Sequence, residues 1–268
     1  MKLFWTLFIV SIFCTPLLAT TVPLTWYNGN TQLTVPNDAQ SCEYGGTLIL
    51  PPEPTPSAPG YIFDGWTIKE EYTYLEYLEN TDYAYIDTGV TLNANSNISV
   101  KFNVQSDNGN RAIFGAGNGS TWNSGEISLF YYRLNNESLF DIVYPTSNTN
   151  SALVRPGPAF SPNTDYTVTM NKNTVTINGT AYTTGWYTSY QGQRSCYLFF
   201  WNRGTTTGSS DTRIRIYYFT LSDNGSPVRN MIPAKRNSDN VLGMYDTVSQ
   251  TFFTNAGGGT FVAGPAIQ

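Results

Sequence analysis

Histidine occurs nowhere in this chain of 268 residues. That absence removes the commonest general base, the usual zinc ligand, and both the Ser-His-Asp and Cys-His arrangements. Charge is scarce as well, since Asp, Glu, Lys and Arg together make up 12% of the residues, with a net charge of −5. A phosphate-binding surface needs clustered Lys and Arg, and the 14 basic residues form no such run, so no nucleic-acid partner is expected. Arg213 and Arg215 alternate with Ile214 and Ile216 and read as the outer face of a strand. Long apolar stretches are confined to the start of the chain. Lys2, the apolar run Leu3 to Phe13 and the small Ala19 predict a signal peptide over residues 1–19. That run is shorter than the roughly 20 apolar residues a spanning helix needs, and no second one follows, so no membrane span is expected. The expected product is exported: secreted, periplasmic or held at the cell surface. A lipid-bearing Cys14 is the rival reading, against which Ser11-Ile12-Phe13 supplies no small residue before the cysteine. Cysteine is rare, with three in the chain, and Cys42 and Cys196 remain after export. A bridge between two modules and two reduced, buried thiols both stay open.

What the chain does have is aromatic residues, at 15%, among many Thr, Ser and Asn. That balance favours pleated, half-buried surfaces over charged helical ones. Residues 22–69 stand apart through Pro51, Pro52, Pro54, Pro56 and Pro59, which separate an apolar stretch, Thr47 to Leu50, from another, Tyr61 to Ile68. Prolines at that density cannot donate to a ladder and belong to a connection. After a junction at 70–71, short alternating segments take over. In Asn97 to Gln105, Ile98, Val100, Phe102 and Val104 face one way and Ser99, Lys101 and Asn103 the other. Tyr166, Val168 and Met170 form one arm of a hairpin that turns at Asn171-Lys172-Asn173 and returns through Val175 and Ile177. Further strands are predicted near 112–116, 126–133, 139–144, 194–201, 213–221, 228–234 and within 241–262. The fold class read from this is all-β, with a two-sheet antiparallel sandwich over residues 72–265.

Two resemblances sharpen that reading. Tyr44-Gly45-Gly46-Thr47-Leu48, the proline stretch and Gly60-Tyr61-Ile62-Phe63-Asp64-Gly65-Trp66 resemble the Listeria-Bacteroides repeat, a small β-grasp-like module of internalins. In that family Trp66 is a core residue. Tyr85-Ile86-Asp87-Thr88-Gly89, Arg213 to Phe219, Val228 to Ala234, Gly243-Met244-Tyr245-Asp246 and Phe252 to Gly257 resemble a concanavalin A-like, laminin-G-like domain of exported gut-bacterial and phage-borne proteins. That resemblance implies a jelly-roll sandwich, and it fixes the fold better than the function.

Catalysis finds no support in the sequence. Glycosidases on such sandwiches use closely spaced carboxylates on one strand, whereas Glu126 is followed by Ile127-Ser128-Leu129-Phe130. Glu70, Glu71, Glu76 and Glu79 read as a solvated face at the junction. Gly257-Gly258-Gly259 reads as a hairpin turn rather than a phosphate loop. No cofactor or metal is expected. A structural calcium ion would draw on Asp87, Asp211, Asp223 and Asp246, no two of which are close in sequence.

A sugar is held by Asn, Asp and backbone groups beside an aromatic ring laid on its apolar face. Two loops offer that combination. One is 117–125, with Asn118, Trp122 and Asn123; the other carries Asn202 and Arg203, with Tyr190 in the preceding connection. Trp122 reads either as a ligand platform or as a lid on the sandwich, and Trp201 reads as core. The first functional reading is a non-catalytic binder of carbohydrate or glycoconjugate. The second is a surface or envelope protein that contacts other proteins, and a glycoside hydrolase comes third.

Overall fold

The computed structural model describes residues 21–23, 27–28, 31–32, 34, 41–43, 71–105, 111–120, 124–134, 137–154, 158–204 and 213–267. The expected signal peptide, Cys14, most of 22–69 including Trp66, and Asp211 lie outside the described residues, as do Trp122 and Asn123. The chain divides into two units, residues 1–73 with 236–239, and residues 74–235 with 240–268. In the first unit, Thr21–Pro23 (β1) pairs with Ser41–Glu43 (β4), and Tyr27–Asn28 (β2) pairs with Thr31–Gln32 (β3).

The strands that follow are Tyr72–Tyr74 (β5), Leu78–Asn80 (β6), Ile86–Asn93 (β7), Ser96–Val104 (β8), Arg111–Gly117 (β9), Glu126–Leu134 (β10), Glu137–Pro145 (β11) and Ser151–Val154 (β12). Next come Asp165–Asn171 (β13), Thr174–Ile177 (β14), Thr180–Thr183 (β15), Gln191–Leu198 (β16), Ile214–Asp223 (β17) and Ser226–Arg236 (β18). Leu242–Asp246 (β19), Thr251–Thr254 (β20) and Phe261–Ala263 (β21) complete the order. Among the described residues there is no helix, and every strand ladder is antiparallel. One sheet has six strands in the order β12-β11-β10-β9-β16-β7. The other has eleven, with β15-β14-β13-β8-β17-β18-β19-β20 as its main path. The fold is an all-β, two-sheet antiparallel sandwich.

Alternation decides which residues meet between the sheets. From one sheet come Ile98, Val100 and Phe102 of β8 with Ile214, Ile216, Phe219 and Leu221 of β17; from the other come Phe114, Leu129, Phe140 and Leu198, all buried in one cluster. Rings lock the two layers together. Phe102 meets Phe140 edge-on at 5.9 Å, and Phe114 meets Phe219 at 6.2 Å. Cys196, also in this cluster, is a free, buried thiol.

Turn chemistry follows the sequence closely. The predicted hairpin joins β13 to β14 through Lys172-Asn173, with Lys172 at φ +51°. Asn224 and Gly225 link β17 to β18 with φ of +49° and +80°, a pair of left-handed residues that suits the twist of a tight hairpin.

Three local expectations change. Gly257-Gly258-Gly259 is not a hairpin turn, because β20 pairs with β19 while β21 pairs with β6. The glycines instead let the crossing chain lie against the backbone of 81–84, where a Cβ on Gly257 would run into the Tyr83 carbonyl oxygen. Gly257→Ala is therefore expected to cost about 1–3 kcal/mol, measured as a lower urea midpoint at unchanged slope. The strand predicted to run through Trp201 ends at Leu198, because Phe199 turns with φ +66° and the chain folds back over the sheet. Glu79 is not part of a solvated face. It sits buried in β6, with its two oxygens 3.3 Å from Arg213 and 2.6 Å from Arg215. β17 brings two guanidinium groups beside this buried carboxylate.

Candidate functional site

The outward face of the six-stranded sheet differs from an ordinary solvent face. Beside the inward residues Ile127 and Leu129, β10 turns Glu126, Ser128 and Phe130 outward, and all three are buried. Glycine makes this arrangement fit. Gly115 and Gly117 of β9 lie opposite Ser128 and Glu126, and a Cβ at Gly115 would stand 3.2 Å from the indole of Trp201. The residues after β16 use that low floor. Trp201 packs edge-on against Phe130 at 5.3 Å within a small outer cluster that includes Ala112 and Val143, and Arg203 lies 4.9 Å above its ring. The expected core role of Trp201 thus becomes a covering role on the outside of the sheet.

Four of the predicted ligand residues come together at one end of this sheet. Asn118 donates to the carbonyls of Asn148 (2.8 Å) and Gln191 (2.9 Å) and accepts from the amide of Gln193 (2.7 Å). Asn202 donates to the Ser195 carbonyl at 2.9 Å and accepts from Gly204 N at 3.2 Å. Tyr190 is fully buried, and its hydroxyl donates to the Gly125 carbonyl at 3.1 Å. Burial pushes that phenol well above the usual tyrosine range. Asn118 and Asn202 spend their amides on tying loops to one another, and the Tyr190 ring has no surface to offer a sugar. Arg203 keeps partial exposure at the rim.

Glu126 is the unusual group of this corner. It is fully buried; one carboxyl oxygen accepts from the Ser128 hydroxyl at 3.2 Å, and the other has no hydrogen-bond partner. Burial pushes it from the ordinary 4.5 up to about 8, against the pull of Ser128 and of Arg203, with Asp141 adding to the rise.

Sequence reasoning missed a second feature of the same face. Tyr197, opposite Gly115, stacks on Tyr85 with centroids 4.4 Å apart and planes at 18°, and Phe200 stacks on Tyr85 at 5.7 Å. All three rings are partly exposed. Burial, Tyr85 and Asp87 push the Tyr197 phenol up to about 12. The available signal was phase, since Tyr197 falls between the inward-facing Cys196 and Leu198. Tyr85 could not be assigned that way, because it precedes β7.

No family model matches this chain, and no curated protein does. A solved structure from Bacteroides ovatus ATCC 8483, described as a "putative carbohydrate binding protein", is similar to it with 10% identity and a TM-score of 0.48, over 92% of this chain and 69% of that one.

Among the described residues no group of three or more Cys, Asp or Glu is placed to hold a metal ion. Asp87 accepts from Gly89 N, Asp223 from the Asn93 side chain, and Asp246 from the amides of Asn230, Val248 and Ser249. Each of the three serves a local turn or strand end.

Proposed function

We propose that the protein is an exported, non-catalytic binder of carbohydrate or glycoconjugate, whose concanavalin A-like sandwich reads its ligand on the outward face of the six-stranded sheet. The observation that carries this reading is the partly exposed stack of Tyr85, Tyr197 and Phe200. A sugar ring presents C–H groups on one side and hydroxyls at its edge, so it needs a flat apolar surface with polar groups around it. Tyr197 and Tyr85 supply the surface, and Asp87 and Arg203 supply polar edges on the same side of the sheet. The residues 22–69, read as a Listeria-Bacteroides repeat, act as a spacer or secondary contact.

A glycan array on the mature protein tests the reading. Binding to at least one glycan class is expected, with Tyr197→Ala weakening it tenfold or more while thermal unfolding shows the fold intact. Arrays without a hit would favour the protein-contact function, and release of reducing sugar from polysaccharides would replace binding by hydrolysis.

A further inference from the structure

Glu126 stands where five stretches of chain meet. Its own amide donates to the Ser151 hydroxyl at 2.6 Å, which ties β10 to β12. The preceding residue, Gly125, has φ +60°; its carbonyl receives the Tyr190 hydroxyl, and a Cβ there would collide with the backbone of Asn148. Gly117, facing Glu126 across the ladder, donates to the Asn202 carbonyl at 2.9 Å, and its own carbonyl accepts from Arg194 at 3.0 Å. Residues 117–119, 124–126, 146–151, 190–194 and 201–204 are thus fastened around one carboxyl group. A Cβ on Gly117 would sit 3.3 Å from the Trp201 indole nitrogen and 3.5 Å from the unpartnered oxygen of Glu126, so both atoms border the space that Gly117 leaves open.

An ionised carboxylate needs several hydrogen bonds or water, and this site gives it the Ser128 hydroxyl. The titratable and charged groups around it are Arg194 of β16, Arg203 after β16, Asp141 of β11 and Tyr190 before β16. Arg203 pulls toward the ion, Asp141 pushes against it, and burial outweighs both. Burial with one oxygen unpartnered costs the ion more than the neutral acid in this closed corner.

We infer that Glu126 is a proton-dependent latch: as the neutral acid it keeps the loops of this corner closed on the sheet, and as the carboxylate it releases them. Trp201 and Arg203 would then leave the outward face, so the latch sets the shape of the edge beside the Tyr85–Tyr197 platform. This consequence for ligand rests on the carbohydrate-binding reading; the latch itself does not.

Hydrogen-deuterium exchange of the full mature chain tests it without any ligand. Amides of 117–119, 124–128 and 201–204 are followed between pH 6 and pH 9.5, with β17 as the internal reference for the intrinsic pH dependence of exchange. Wild type is expected to lose protection in the corner at least tenfold relative to β17 as pH rises from 6, with the loss levelling off near pH 8. Glu126→Gln is expected to stay protected throughout, and Glu126→Leu provides a second variant that cannot ionise. Equal protection of wild type across the range would overturn the inference. So would the same loss in the variants, or a corner unprotected in both variants already at pH 6. Because no glycan is used, failure here leaves the glycan array to stand or fall separately.

Discussion

Phe140→Ala is expected to lower the unfolding free energy of the sandwich by about 3–5 kcal/mol. Phe140 is fully buried and touches three other rings: Tyr166 at 4.9 Å, Phe160 at 5.3 Å and Phe102 at 5.9 Å. Phe102 and Tyr166 belong to the opposite sheet, so the truncation removes contacts that hold the layers together as well as apolar area. Phe102 and Tyr166 cannot close the gap, because each is fixed by a strand whose register is pinned along its length. Urea unfolding at 25 °C should show a lower midpoint with little change in slope. Val248→Ala, at an exposed turn, is the comparison and should stay within about 0.5 kcal/mol of wild type.

The second large effect depends on pH. In the folded protein Glu126 holds its proton up to about pH 8, whereas the unfolded chain releases it near the ordinary 4.5. Between those values the folded state binds more protons, so stability falls as pH rises. One such group changes the unfolding free energy by at most about 1.4 kcal/mol per pH unit, which amounts to a few kcal/mol across the window. Below pH 4.5 the contribution is level, and near pH 8 it flattens again. Glu126→Gln removes the ionisation but keeps the shape. Its stability should track wild type at pH 4.5 and exceed it by a few kcal/mol at pH 8.5, in urea unfolding run at several pH values. A variant no more stable than wild type at pH 8.5 would mean that the buried carboxyl costs nothing to ionise.

Much of the sandwich was legible because alternation is a local signal. Ile98, Val100 and Phe102 announce the inward face of β8 within a few residues, and Asn224-Gly225 announces its own turn. The outward face of the six-stranded sheet was not legible, since it depends on what lies above it. Glu126, Ser128 and Phe130 look like the solvent side of β10 and are buried because Gly115 and Gly117 admit Trp201 from a distant part of the chain. The same limit explains the candidate site. Asn118, Asn202 and Tyr190 were chosen as polar or aromatic residues near loops, and they do converge, but their hydrogen-bonding groups are engaged by neighbouring backbone. Composition cannot tell an asparagine that ties loops from one that greets a ligand. Glu79 failed for a related reason, because its neutralising partners lie across a strand pair more than a hundred residues away.

The pairing of β6 with β21 has one more consequence. Phe261, Val262 and Ala263 lie beside Asn80, Glu79 and Leu78, so the eleven-stranded sheet takes in its last strand next to one of its first. A ribosome must deliver nearly the whole domain before that ladder can close, and such distant pairings fold slowly because the loop entropy is lost before any contact compensates. The sandwich should therefore reach its native state only after β21 has been made. Neighbouring ends carry a benefit as well: joining residues near 75 and 266 by a short linker and opening the chain at the Asn224-Gly225 turn should yield a permuted domain that still folds.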